Sequence, residues 1–156
     1  MTSGKKAGKI IILMIIIISL SLFVKENVAT IVKVEGSSMF PTLVSGEYLV
    51  LNRLSNEFNY GDIVVCKADG KLLIKRVIGV GGDSVRILDG WLYLNGKRVY
   101  EPWFSEKMSQ DFEEVKVKYG FYFLMGDNRE YSTDSRSERV GSIPKESIIG
   151  KIVFKK

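Results

Sequence analysis

The chain of 156 residues contains no histidine, a single cysteine and only three prolines. Without histidine, the Ser-His-Asp and Cys-His arrangements that activate many hydrolytic nucleophiles are unavailable, and any general base must be another residue type. One thiol, Cys66, cannot form an internal disulfide, and the zinc sites built from histidine and cysteine are excluded with it. Carboxylate metal sites stay formally open, but no metal and no cofactor is expected. Cys66 lies in the apolar run IVVCKA and reads as a buried structural thiol. A large excess of one charge is also missing. The net charge is +5, but three of the 23 basic residues, Lys5, Lys6 and Lys9, sit in the N-terminal tail, and the remaining 20 nearly balance 18 acidic ones. No RNP pattern, zinc-finger spacing or basic helix occurs, so nucleic acid is not an expected partner.

What the chain does have begins at Ile10. IIILMIIIISLSLFV, Ile10 to Val24, is fifteen residues without a charge, preceded by the three lysines and followed by Lys25 and Glu26, whose charges cancel. The asymmetry places the N-terminus in the cytoplasm and the rest of the chain on the far side of a bilayer. As a helix the run spans roughly 22 Å, short of a hydrocarbon core of roughly 30 Å, so crossing needs Ala7, Gly8 and snorkelling lysines. A cleavable signal peptide is the competing reading; Asn27 in Asn27-Val28-Ala29 fits the small-residue exit poorly, which favours a retained anchor. The expected organisation is a cytoplasmic tail at 1–9, a transmembrane helix at 10–26 and an extracytoplasmic domain at 27–156.

From Thr30 onward, short segments rich in β-branched and aromatic residues alternate with turn residues: TIVKV, EYLVLNRL, DIVVCKA, LLIKRVIGV, SVRIL, WLYLNGKRVY, EVKVKYGFYFL and IIGKIVF. Asp69-Gly70, Asp89-Gly90 and Asn95-Gly96 mark two-residue hairpin turns. The expected fold is mainly β, with antiparallel sheets in a barrel-like or sandwich arrangement. Glu101 to Glu114, EPWFSEKMSQDFEE, reads as a surface excursion. GVGGD, Gly79 to Asp83, lacks the spacing of a phosphate cradle.

Two stretches hold groups suited to chemistry. GSSMFPTL, Gly36 to Leu43, carries adjacent serines, and a serine nucleophile without histidine can use a lysine whose pKa of about 10.4 is lowered towards roughly 7 to 8. Such a displacement disfavours the ammonium by about 4 kcal/mol, which calls for a dry, apolar setting. Lys75 in LLIKRVIGV has that setting, with Leu73 and Val77 on its face of the strand. The second stretch is GDNREYSTDSR, Gly126 to Arg136, denser in hydrogen-bonding side chains than a simple turn needs. Ser142-Ile143-Pro144-Lys145 satisfies an SxxK pattern, but Pro144 interrupts the helical turn that the pattern requires, and the SDN and KTG elements that go with it are missing.

Taken together and in this order behind an apolar N-terminal segment, GSSMFPTL, IKRVIGVGGD and GDNREYSTDSR resemble the boxes of type I signal peptidases, the membrane-bound Ser-Lys endopeptidases that remove signal peptides from secreted precursors. The resemblance implies Ser38 as nucleophile and Lys75 as general base, with Ser132 hydrogen-bonding the lysine amine and Asp134 and Arg136 bracing the site. Asp127, Asn128 and Arg129 take a mainly architectural role. Met39, Leu43 and Ile74 match positions lining a shallow pocket for small residues, and Gly36 stands where some relatives carry a serine that donates to the oxyanion. Gly81 replaces the proline of the usual GxPGD, which is expected only to loosen a turn. The short interval between the last two boxes implies a minimal, Gram-positive-type member without a large accessory β-domain. The implied partners are signal-peptide-bearing precursors and the lipid bilayer. The alternative is an inactive anchored paralogue that binds exported chains without cutting; such proteins lose the nucleophile or the lysine, and both are present here.

Overall fold

The computed structural model describes residues 3–104 and 106–155; Met1 and Thr2 of the expected tail, Ser105 of the excursion and Lys156 lie outside the described residues. The chain opens with one long helix, α1 (Ser3–Asn27), and continues almost entirely as strands. These are β1 (Ala29–Lys33), β2 (Tyr48–Asn52), β3 (Ile63–Ala68), β4 (Lys71–Val80), β5 (Ser84–Leu88), β6 (Trp91–Leu94), β7 (Lys97–Arg98), β8 (Phe112–Lys116), β9 (Phe121–Met125), β10 (Ile143–Pro144) and β11 (Ile148–Lys155).

The three two-residue turns form as their sequences dictate. Asp69, Asp89 and Asn95 adopt φ near +50°, each followed by a glycine at about +70°, so that both central residues are left-handed and the turn twist matches the strand twist. They join β3 to β4, β5 to β6 and β6 to β7 in tight antiparallel register, with Ala68 opposite Lys71, Leu88 opposite Trp91 and Leu94 opposite Lys97.

Two sheets result. The larger has seven strands in the order β1-β2-β11-β3-β4-β9-β10, the smaller four in the order β7-β6-β5-β8, and every pairing is antiparallel. Neither sheet closes on itself, because β1 and β10 stay unpaired at the edges of the larger one; the barrel part of the sequence expectation is therefore corrected to two open sheets. The run EVKVKYGFYFL, expected as one strand, is split at the turn before Phe121, with β8 in the small sheet and β9 in the large one. The chain also changes sheets between β4 and β5. The two corners pack backbone to backbone: Gly82 N donates to Val117 O and Val117 N to Asp83 O, at 2.9 and 2.8 Å. A Cβ on Gly81 would meet Tyr119 Cα at 2.7 Å and Lys118 O at 3.0 Å. Glycine at this position thus lets two corners meet, rather than merely loosening a turn.

The cores follow the sheets. Ile78, Val85, Ile87, Leu92, Phe123 and Met125 fill the space between them, while Val64, Cys66, Val77 and Leu124 bury the other face around β3, β4 and β9. A third cluster, Val34, Met39, Leu43 and Leu49, packs under the GSSMFPTL loop.

The expected N-terminal helix is present, and its side chains from Ile10 to Leu22 that are large and apolar are all more than half exposed. Among the described residues no helix is long and apolar enough to cross a membrane. The transmembrane part of the sequence expectation is thus not carried by the fold, consistent with an uncharged run of only about 22 Å.

Candidate active site

The GSSMFPTL loop is held from below. Met39 and Leu43 are each 2% exposed, and Leu43 N donates to Met39 O at 2.9 Å, so burial of two large side chains fixes the turn that follows Ser38. Each contributes about 1.5–3 kcal/mol relative to an exposed position. Gly36 adopts φ +83°, a conformation that side-chain-bearing residues avoid, which gives a backbone reason for glycine at this position. Ser38 is half-buried and Ser37 is exposed. The loop is also pinned from above, where Asn128 N donates to Ser38 O and Asn128 Nδ2 to Ser37 O, both at 3.0 Å.

β4 brings Lys75 to this loop. Its Nζ donates to Ser38 Oγ at 2.6 Å, joining residues 37 apart in sequence. Lys75 is 3% exposed, and burial pushes its ammonium below the ordinary lysine range; the charges of Asp134 and Asp127 oppose that shift and Arg136 assists it. Cys66, fully buried beside it, is itself pushed up to about 11 by desolvation, so its thiol is neutral near pH 8. A cleft of about 330 Å³ opens over this pair and is lined in part by Val32, Gly36, Met39 and Ile74. Leu43, expected in the same wall, is not part of it: it lies in the core beneath Met39.

The Gly126–Arg136 loop follows β9, the strand paired with β4, and so lies next to Lys75. Asp134 is 1% exposed; desolvation works to raise its carboxyl, but Arg136 and the Gly126 N–H outweigh that and hold it below the usual range. Arg136 Nε and Nη2 donate to the two Asp134 oxygens, both at 2.9 Å, so the two residues form an ion pair beside the loop. Asp134 Oδ2 in turn accepts from Gly126 N at 2.9 Å. Ser132 departs from expectation: Lys75 Nζ donates to Ser38 Oγ and not to Ser132, whose buried hydroxyl faces Asp134 and helps hold that carboxyl low. Gly126 explains the crowding. A Cβ there would collide with Ser38 O and Ser132 Oγ and would stand 2.6 Å from Ser132 Cβ, so the nucleophile candidate and Ser132 face each other across a bare glycine.

Three neighbours of the site were not singled out by the sequence. Arg76, the residue after Lys75, makes a bidentate pair with Asp127, Nε to Oδ1 at 2.8 Å and Nη2 to Oδ2 at 2.6 Å, and donates through Nη1 to Gly61 O at 2.7 Å. Trp103 stacks on this guanidinium, 4.1 Å from ring centre to Arg76 Cζ. Glu101 pairs with Arg129, and both are about nine-tenths or more buried. The available signal was compositional: Trp103, Phe104 and Met108 are large apolar residues inside a stretch otherwise suited to solvent. Among the described residues no group of three histidine, cysteine or carboxylate side chains stands close enough to hold a metal.

The chain is similar to known proteins over most of its length. Residues 6–155 match the family described as signal peptidase, peptidase S26. A signal peptidase I of Bacillus licheniformis is 42% identical over 155 residues, covering 90% of this chain and 83% of the relative. Signal peptidase I T of Bacillus subtilis (strain 168) is 39% identical, covering 94% and 83%. The crystal structure of a signal peptidase I from Enterococcus faecalis V583 superposes with a TM-score of 0.57 at 29% identity, over 62% of this chain and 97% of the other. The two open sheets, the Ser38 and Lys75 side chains meeting beside the larger one and a match over residues 6–155 have one common reading: the chain belongs to the signal peptidase family, peptidase S26.

Proposed function

We propose that this protein is a membrane-bound serine endopeptidase that cleaves signal peptides from secreted precursors with Ser38 as nucleophile and Lys75 as general base. The observation that carries the assignment is the 2.6 Å Lys75 Nζ–Ser38 Oγ hydrogen bond at a lysine only 3% exposed. An ordinary lysine is neutral in roughly one molecule in 250 at pH 8, so burial is what supplies a usable base. Neutral Lys75 accepts the Ser38 proton as Oγ attacks the scissile carbonyl. The tetrahedral oxyanion collapses as Lys75 hands that proton to the leaving amine, and an ester joins Ser38 to the signal peptide. Lys75 then takes a proton from water, the resulting hydroxide displaces Oγ, and the proton returns to Ser38.

The Ser38 N–H serves as an oxyanion donor, and Gly36 offers no hydroxyl as a second. Asp134, Arg136, Asp127, Asn128 and Arg129 hold the loop that frames the pair. Ser132, its hydroxyl buried beside Asp134, is suited to receive the lysine amine once Ser38 is acylated and can no longer bond it. The cleft walls at Met39 and Ile74 favour small apolar residues, typically alanine, immediately before the cut and two positions earlier.

Residues 10–26 act as the membrane anchor of an extracytoplasmic domain at 27–156, with residues 1–9 in the cytoplasm. Support comes from the large apolar residues from Ile10 to Leu22 of α1, which are exposed, from the lysines that precede them, and from the direct passage of α1 into β1, which keeps the site close to the helix end. Purified protein in detergent, incubated with a labelled precursor, is the test. Ser38→Ala and Lys75→Ala each abolish cleavage on this reading, and undiminished cleavage by either variant refutes the pair.

A further inference from the structure

Glu101 lies outside every motif that led to the site, yet it is only 5% exposed and its carboxylate faces a buried guanidinium. Both of its oxygens are occupied by Arg129, through Nη1 at 2.8 Å and through Nη2. The third donor of that guanidinium, Nε, goes elsewhere, to Gly126 O at 3.0 Å. Gly126 is the glycine wedged between Ser38 O and Ser132. Its N–H side is held by Asp134, so the peptide groups on both sides of Gly126 are clamped, one by each of two buried ion pairs. The clamp closes on itself, because Arg136 Nη2 donates to Arg129 O at 2.7 Å.

We infer that Glu101 is a positioning residue for the Ser38–Lys75 reaction, acting through Arg129 and the Gly126 carbonyl to set where Ser38 stands. The inference rests on the Ser38–Lys75 reading. Phe104 stacks on Arg129 at 4.5 Å, and Met108 Sδ accepts from its Nη1 at 3.5 Å, so the excursion encloses the guanidinium and Glu101 neutralises it. Without that carboxylate the buried cation has no counter-charge, and its favourable course is to turn towards water and release Gly126. Ser38 O contacts Gly126 directly and is tied to Asn128 N two residues on, so a shift at Gly126 moves the nucleophile relative to Lys75 Nζ. Misplacing a reacting group by about 1 Å costs on the order of 100-fold in rate. Glu101 does not touch substrate, and its charge is not among those that displace the Lys75 pKa, so the effect is one of geometry.

The test measures the acylation rate constant at saturating precursor, the KM, the burst amplitude per mole of enzyme and the melting temperature, all on the full chain in detergent. Glu101→Gln keeps the shape but turns an N–H towards the guanidinium; it is expected to lower the acylation constant tenfold to a hundredfold with KM within about threefold and an undiminished burst. Glu101→Asp falls between it and the parent. Arg129→Lys keeps the ion pair but cannot span Glu101 and Gly126 O together; it should slow acylation to a similar degree while melting close to the parent. Asp69→Asn, which breaks the exposed Arg139–Asp69 pair, is the control and leaves the rate unchanged. The inference is overturned if Glu101→Gln acylates within twofold of the parent per active site, whatever its melting temperature, if its loss appears only as a smaller burst, or if KM rises at constant rate. Ser38→Ala, run alongside, reports on the underlying reading separately: cleavage retained there sinks the Ser38–Lys75 assignment itself.

Discussion

Gly126→Ala isolates the packing argument from the charge argument, because it adds one methyl group and removes no polar atom. The added carbon would stand 2.6 Å from Ser132 Cβ and nearer still to Ser132 Oγ and Ser38 O, all inside the 3.0 Å below which real Cβ contacts are essentially never found. Gly126 cannot retreat, since its N–H is held by Asp134 and its carbonyl by Arg129. Ser132 can swing its hydroxyl away, but the Ser38 carbonyl is backbone, fixed by Asn128 N and by Met39 buried next to it. The Ser38 segment therefore shifts, by roughly half an ångström to one ångström, at an overpacking cost of about 1–3 kcal/mol. The 2.6 Å contact to Lys75 Nζ is what that shift disturbs. A displacement of this size lowers the turnover of the chemical step by on the order of 10- to 100-fold. Single-turnover cleavage of a labelled precursor, normalised to active sites, reads the rate, and urea unfolding reads the stability. Turnover within threefold of the parent, in a variant destabilised by more than 1 kcal/mol, would show that the site tolerates the displacement and would refute the reasoning.

Three further outcomes are expected. Asp134→Asn removes a charge that raises the Lys75 pKa and leaves Arg136, which lowers it, so the acid limb of kcat/KM moves to lower pH even as the rate falls; movement to higher pH contradicts the electrostatics. Arg76→Leu leaves the buried Asp127 carboxylate without its partner and destabilises by about 3–5 kcal/mol in urea unfolding, whereas Arg76→Leu combined with Asp127→Leu recovers most of that loss. Leu43→Ala costs about 2–5 kcal/mol of stability with KM within twofold, because Leu43 lies in the core and not in the cleft wall; a large rise in KM would restore it to the substrate pocket.

How much of this was legible from the residues depends on how local the determinant is. Asp69-Gly70, Asp89-Gly90 and Asn95-Gly96 dictate their turns within two residues, and all three hairpins formed. The burial of Lys75 was legible because LLIKRVIGV leaves a lysine nowhere polar to go. Sheet closure was not, since period-2 patterning fixes which face of a strand is buried and says nothing about whether β1 and β10 meet. The split of EVKVKYGFYFL between two sheets was hidden for a similar reason: Tyr119-Gly120 reads as an ordinary turn, and only the contact with Gly81 makes it a corner. Glu101 was the largest omission. A glutamate next to proline in a polar stretch looks solvated, and its burial depends on Arg129, 28 residues away.

The central claim is that a buried, neutral Lys75 takes the Ser38 proton, and the pH dependence of the acylation rate tests it most directly. With burial lowering the lysine pKa, protonation switches the base off as pH falls, so the rate rises with pH through one ionisation below the ordinary lysine value of about 10.4 and levels off above it. A rate that climbs only as pH passes about 10 would contradict the account.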